Sequence, residues 1–77
     1  MKIDLDRALD AAYVTLHDRP VHGFRQLDTR RFVDVDADGE IIRLELRDIS
    51  LGVDLSDLPL RDELARLLAQ HGIAVLS

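Results

Sequence analysis

Four acidic residues in the middle of the chain have the spacing of a calcium-binding loop. They are Asp34, Asp36, Asp38 and Glu45. With Gly39 at the sixth position and the glutamate at the twelfth, they match the ligand pattern of an EF-hand. An EF-hand loop joins two helices, however, whereas the residues on both sides of Gly39 alternate between apolar and polar. In an extended hairpin Asp34 and Glu45 lie on facing strands and cannot surround one ion. We therefore expect an ordinary hairpin, with a calcium site as the less favoured alternative.

No other group of residues has a spacing typical of catalysis. His17, His22 and His71 have neither a carboxylate nor a further histidine at a metal-ligand offset. The chain contains no cysteine, which removes disulfides, thiolate metal sites and the most reactive nucleophile. No hydroxyl group or lysine has a base at a familiar spacing. We predict a protein that is not an enzyme and uses no cofactor.

The hairpin around Gly39 is the best-defined structural element in the sequence. Strands are predicted over 31–37 and 40–47, and Asp38-Gly39 between them fits a two-residue type I′ turn. This register places apolar pairs on one face and an opposite-charge pair on the other. The predicted pairs are Val33 with Leu44, Val35 with Ile42, and Asp34 with Arg43. Alternation also predicts strands over 2–6 and 11–17, and a weak or irregular strand over 24–27.

A C-terminal helix is predicted from leucines that recur at helical spacing. The leucines are Leu60, Leu64, Leu67 and Leu68. Ser56 or Asp57 is placed to cap this helix, and Pro59 fits its first turn. Gly72 is placed to end it in a left-handed conformation. The apolar run 73–76 that follows is long enough for one more short strand.

These elements predict an α+β fold in a single domain over residues 1–77. We expect an antiparallel β-meander of about four strands, with the C-terminal helix packed on one face. A sheet covered by one helix has a second face that the helix leaves bare. On the predicted register Tyr13, Phe32 and Ile41 lie together on that second face. We expect a protein partner or a second copy of the chain to pack there.

The charge of the chain narrows the classes of ligand. It has 77 residues, with 10 Lys and Arg against 15 Asp and Glu, for a formal net charge of −5. Phosphate binding needs clustered cations, so nucleic acid is not the expected ligand. Every apolar run is interrupted by charge within a few residues, and the first six residues lack the apolar stretch of an export signal. We expect a cytoplasmic protein that binds neither nucleic acid nor membrane.

Several segments of the chain, taken in order, resemble a known family. They are Asp10-Ala11-Ala12-Tyr13-Val14-Thr15-Leu16, the acidic hairpin from Val33 to Ile42, Leu44-Glu45-Leu46 and Asp48-Ile49-Ser50. Together they resemble the domain of unknown function 2283 family over about residues 3 to 50. The chain departs from the family pattern at Arg43 and Arg47, where a glycine and an aliphatic residue are common. The resemblance implies a small bacterial or archaeal protein of unassigned activity, in a family with suspected antitoxins encoded beside toxin-like proteins. It carries over no catalytic residue.

The acidic charge, the bare face and the resemblance lead to one main hypothesis. The chain is interpreted as a non-catalytic protein-binding module, in its most specific form an antitoxin-like sequestering protein. In that form Asp34, Asp36 and Asp38 would mimic substrate phosphates toward a basic partner. The alternatives are a structural homodimer without a ligand and a weak calcium-binding protein that uses the hairpin from Asp34 to Glu45.

Overall fold

A five-stranded antiparallel sheet dominates the computed structural model, which describes all residues, 1–77. The elements are β1 (Lys2–Asp6), β2 (Ala11–Thr15), β3 (Gly23–Gln26), β4 (Arg31–Val35), β5 (Ile41–Arg47), a 3-10 helix (Ile49–Leu51) and α1 (Arg61–Gln70). The strand order is β1-β2-β5-β4-β3, and every neighbouring pair is antiparallel. The predicted α+β class is therefore confirmed, with five strands where about four were predicted. The sheet is not a simple meander, because β5 lies between β2 and β4. The segment at Phe24, expected to be weak or irregular, forms a complete edge strand.

Alternate side chains divide this sheet into two faces. The inner face packs beneath the C-terminal part of the chain, and Val14, Val33 and Leu44 on it are at most 1% exposed. The core is one cluster of 14 buried side chains, which the inner face shares with the segment that follows β5. Leu64 and Leu68 of α1 belong to this cluster and are fully buried. The outer face has no helix above it.

The turn between β4 and β5 differs from the predicted two-residue turn. A type I′ turn requires positive φ at both central residues, but only Gly39 has it, with φ of 82°. The Gly39 N–H donates to the carbonyl of Asp36 at 3.0 Å, and the Asp36 N–H donates to the carbonyl of Glu40 at 2.9 Å. The result is a three-residue loop that ends at the positive-φ glycine. This loop is favoured because the Asp36 carboxylate accepts the N–H groups of Asp38 and Glu40 at 2.9 and 3.0 Å.

The longer loop changes the register at the end of the hairpin. Val33–Leu44 and Asp34–Arg43 pair as predicted. Val35, however, pairs with Ile41 and not with Ile42, so Ile42 is the additional residue of a β-bulge. A bulge turns the side chains at its position away from strict alternation. Ile41 consequently packs against the inner core cluster, and its predicted place on the outer face is wrong.

The start of α1 also differs from the prediction. Leu60 occupies the N-cap in a left-handed conformation, with φ of 56° and no side-chain cap. Ser56 and Asp57 do not cap the helix because they belong to an earlier turn, in which the Ser56 N–H donates to Oδ1 of Asp54 at 2.8 Å. This turn lets Leu58 enter the core, where it is 8% exposed.

The predicted leucine stripe is correct at two of its four positions. Leu64 and Leu68 are fully buried, Leu67 is partly buried against the core, and Leu60 is 39% exposed. Pro59 precedes the helix and does not lie in its first turn. No helix of the structure has both the length and the apolar character needed to cross a membrane.

The end of α1 agrees with the prediction. Gly72 is left-handed, with φ of 72°. Its N–H donates to the carbonyl of Ala69 at 3.0 Å, and the Ile73 N–H donates to the carbonyl of Leu68 at 2.9 Å. These two bonds form a Schellman motif, which a glycine at this position favours.

The predicted final strand is reduced to a single parallel bridge between Val53 and Val75. Arg31 at the start of β4 links this C-terminal region to the sheet. Its side chain is 12% exposed and donates to the carbonyls of Asp54 at 3.1 Å and Ser56 at 2.7 Å. An arginine can hold two loop carbonyls in this way because its guanidinium presents several donors in a fixed plane.

Candidate binding face

The outer face of the sheet alternates aromatic and charged side chains across the strands. One row of register partners runs Asp4, Tyr13, Glu45, Phe32, Gln26 from β1 to β3. Tyr13 and Phe32 therefore share this face, as the sequence predicted, but Glu45 stands between them. With Ile41 on the inner side, the expected continuous patch of these three apolar residues is not present.

A different aromatic pair forms the apolar centre of the outer face. Phe24 on the edge strand stacks on Phe32, with ring centroids 6.0 Å apart and an interplanar angle of 22°. Phe32 is 9% exposed, whereas Phe24 is 62% exposed. The Arg47 guanidinium lies 4.2 Å from the centroid of the Phe32 ring and is held by Glu45 through a 2.7 Å bond from Nε. Phe32 is thus covered by its neighbours, and Phe24 presents its ring to solvent.

A shallow cavity of about 170 Å³ lies between these side chains. Its lining comprises Tyr13, Phe24, Phe32, Asp34, Arg43, Leu44 and Glu45. The cavity is too small for most cofactors. Its lining combines three aromatic side chains with charged groups that are already paired.

The acidic hairpin does not form a cluster of metal ligands. Asp34 contacts Nη1 of Arg43 at 3.5 Å, and Asp36 contacts Nη1 of Arg19 at 3.0 Å. Glu45 is bound to Arg47 on the outer face. No three carboxylate or histidine side chains of the chain are grouped so that they could hold a metal ion. The EF-hand spacing in the sequence therefore corresponds to a hairpin whose carboxylates accept from arginines and backbone amides.

The pKa of Asp36 reflects this environment. Burial opposes ionisation, but the bond from Arg19 and the backbone N–H groups of Glu40 and Asp38 outweigh it, so the pKa lies below its ordinary value. The Arg19 pKa is raised in turn, mainly by its hydrogen bond to Asp36. The ionised pair joins the segment before β3 to the hairpin.

Two further carboxyl groups near the C-terminal loop have lowered pKa values. For Asp28, burial is outweighed by the backbone N–H of Arg30 and the side chain of Arg31. The Asp54 pKa is lowered mainly by hydrogen bonds from Ser56. Both carboxylates lie beside Arg31, so they are part of the network that links Arg31 to the C-terminal loop.

The aspartate that opens the early strand forms a link with the 3-10 helix. Asp10 lies in a left-handed conformation, with φ of 52°. Its carboxylate accepts the Ser50 N–H at 3.1 Å and the Ser50 hydroxyl at 2.6 Å, while its carbonyl accepts the Ile49 N–H at 3.1 Å. Asp10 and Ser50 are 40 residues apart in the chain. The bonds give these residues a structural role between β2 and the end of β5.

The fold and this face define a small α+β protein with a five-stranded antiparallel sheet, one helix on the inner side and an aromatic outer side. The chain belongs to the family described as protein of unknown function (DUF2283), which matches residues 2–50. This confirms the family suggested by the sequence. The matched region contains all five strands and the link between Asp10 and Ser50, and α1 lies beyond it. Comparisons with curated proteins and with solved structures gave no match.

Sequence reasoning did not identify Phe24 as a surface residue of interest. A signal was present, because the segment 19–27 contains no acidic residue in a chain with 15 of them. Within it, Val21, Phe24 and Leu27 are exposed apolar residues. The exposure itself follows from strand order, since only the tertiary structure puts β3 at an edge.

Proposed function

We propose that the chain is a non-catalytic protein-binding module that uses the outer face of its sheet around Phe24. The observation that carries the proposal is a 62% exposed phenylalanine stacked on a nearly buried one. Aromatic residues held in place by their neighbours are the usual anchors of protein interfaces, because they bury a large area at a small entropic cost.

The charges around the aromatic pair support a protein as the ligand. Arg43 and Arg47 face acidic partners, Asp34 and Glu45, so they provide no field of free cations for phosphate groups. The absence of cysteine suits a reducing compartment, and we extend the proposal to a cytoplasmic setting in a bacterium.

Sequestration of a basic toxin-like protein is the more specific form of this proposal. The structure gives little support to phosphate mimicry by the hairpin, because Asp34 and Asp36 already pair with Arg43 and Arg19. A sequestered partner would instead meet the aromatic side chains of the outer face, where apolar contact rather than charge sets the affinity.

Affinity capture from lysate of the native host tests the proposal with three versions of the chain: wild type, Phe24→Ser and Leu9→Ser. Leu9 is a matched control because it is 68% exposed and lies between β1 and β2. We expect a stoichiometric protein, whether foreign or an untagged copy of the chain, to be retained by wild type and Leu9→Ser and lost with Phe24→Ser. Equal retention by all three, or retention of nothing, contradicts the proposal.

A further inference from the structure

Strand β3 leaves hydrogen-bonding groups of the sheet without partners. The Leu27 N–H donates to the carbonyl of Arg31 at 2.9 Å, which identifies this pair as hydrogen-bonded in the antiparallel ladder. Bonded and non-bonded pairs alternate in such a ladder. The N–H and C=O groups of Phe24 and Gln26 consequently point away from β4, toward the open edge. An edge of this kind can accept another strand.

The other edge of the sheet is better protected. β1 carries a charged side chain at three of its five positions, Lys2, Asp4 and Asp6, and such charges are a common defence against strand addition. β3 has only Arg25 as a charged residue and exposes Phe24. Strand addition is therefore favoured at β3.

The sequence around β3 is symmetric about Phe24 in a way that suits pairing with itself. Val21 and Leu27 lie three residues on either side of Phe24, and these residues are 49%, 36% and 62% exposed, respectively. We propose that a second copy of the chain pairs its β3 antiparallel with this one, on a two-fold axis through Phe24. Phe24 then faces Phe24 of the second copy, and Val21 and Leu27 flank the paired strands just outside β3. The inference rests on the proposed function and names a second copy of the chain as the protein that is bound.

The polar residues of β3 also fit this register. Gly23 faces Arg25 of the second copy and, having no side chain, leaves space for it. The two copies of Arg25 are diagonal neighbours about 7–8 Å apart. A register shifted to centre on Arg25 would place these like charges directly opposite each other, which is unfavourable. The register centred on Arg25 would pair Phe24 with Gln26, whereas the register centred on Phe24 pairs Gln26 with His22, whose N–H already donates to the carbonyl of Val35 at 2.8 Å. The backbone therefore does not favour the Phe24 register, and the side chains have to decide between the two.

Pairing of β3 with β1 of a second copy is less favourable. Asp4 and Asp6 lie on the outer face with Tyr13, whereas Arg25 lies on the inner face with Val33. The opposite charges would therefore not meet if the two strands ran parallel. An antiparallel contact would turn the second sheet over and bring them together, but either contact is head-to-tail and would continue into open chains. Two-fold pairing of β3 closes after two copies and joins both sheets into one.

Cysteine cross-linking tests the register without background from native thiols, since the chain has no cysteine of its own. The variants Arg25→Cys, Gln26→Cys and Asp4→Cys are each treated with a short bismaleimide linker. With the axis through Phe24, the two copies of residue 25 lie about 7–8 Å apart and those of residue 26 about 14 Å apart. We expect a linked dimer for Arg25→Cys and little for the other two. Equal linking at 25 and 26 overturns this register, and linking only at 4 overturns the choice of edge.

Sedimentation equilibrium tests whether a second copy of the chain binds at all. We expect the wild type and Leu9→Ser to form dimers and the Phe24→Ser dissociation constant to rise about tenfold or more, since a central aromatic anchor is lost. Added salt is expected to strengthen the dimer, because each copy carries a net charge of −5. A monomeric wild type at all concentrations overturns the inference.

The two proposals fail in different ways. A monomeric wild type that still captures a foreign protein through Phe24 removes the second copy and leaves the binding module in place. If Phe24→Ser changes neither sedimentation nor capture, both proposals are wrong.

Discussion

At the scale of single residues, the link between Asp10 and Ser50 explains a motif that the sequence shows but does not interpret. We expect Asp10→Ala to destabilise the fold by about 1–2 kcal/mol, the cost typical of losing a side chain that caps backbone N–H groups. Asp10→Asn keeps an acceptor and tolerates the left-handed conformation. Its loss of unfolding free energy should therefore be less than half that of Asp10→Ala. Urea unfolding of both variants measures the difference. Equal losses would show that an amide cannot replace the carboxylate, and a loss near zero for Asp10→Ala would show that these bonds contribute little.

A second prediction at this scale concerns acid. The pKa of Asp36 is lower in the folded chain than in the unfolded one, so the unfolded chain binds more protons between the two values. The stabilisation is fully present above the ordinary Asp pKa of about 4 and is lost as the pH falls through the folded value. The lowered pKa values of Asp28 and Asp54 change the stability with pH in the same direction.

Asp36→Asn should therefore unfold at a lower temperature than wild type at neutral pH, with the difference narrowing below about pH 4. Asp38→Asn is the control, because Asp38 is exposed and its carboxylate forms no salt bridge. Thermal unfolding at a series of pH values checks both. A constant difference between wild type and Asp36→Asn across the series would contradict the prediction.

At the scale of elements, the helix provides a matched pair of leucines. Leu64 is fully buried and Leu60 is 39% exposed, although both belong to the same predicted stripe. Leu64→Ala should cost about 2–5 kcal/mol, whereas Leu60→Ala should stay within about 0.5 kcal/mol of wild type. Chemical denaturation of the two variants gives these values directly. Similar costs would mean that Leu60 packs into the core as fully as Leu64 and would contradict the prediction.

The hairpin gives a test of the calcium alternative. Asp34 and Asp36 contact arginines, and binding an ion would require these contacts to break. We expect the amide resonance of Gly39 to stay unchanged when calcium is added to millimolar concentration, with magnesium as the reference titration. A saturable shift specific to calcium would restore the metal-binding interpretation.

At the scale of the whole molecule, the region that matches the family lacks the cover of its own core. Residues 2–50 contain the sheet, but Leu55, Leu64 and Leu68 beyond them are fully buried against it. A chain ending at residue 50 would expose the inner face, so we expect it to lose cooperative unfolding and to bind a hydrophobic dye. A sharp unfolding transition in the truncated chain would contradict this.

Local patterns allowed much of the sheet to be predicted. The bounds of β1, the central pairs of the hairpin and the end of α1 at Gly72 were correct, because alternation, opposite charge and glycine act over a few residues. Three predictions were wrong: the two-residue turn at Gly39, the pairing of Val35 with Ile42, and the capping of α1 by Ser56 or Asp57. The loop depends on hydrogen bonds to the Asp36 carboxylate, and the start of α1 on the turn between Asp54 and Ser56. Alternation and helical spacing do not reveal such side-chain bonds to the backbone, and Asp36 is also held by Arg19, 17 residues away.

The sequence by itself determined the class of fold, the family and the acidic, cysteine-free character of this protein. Strand order, and with it the binding face, was decided only by the tertiary structure. The physical reason is that a local pattern shows which side chains share a face of a strand, while long-range packing decides which strand lies at an edge. The sheet order leaves β3 unpaired on one side, with Phe24 of that strand exposed. Both proposals depend on the place of β3 at the edge of the sheet.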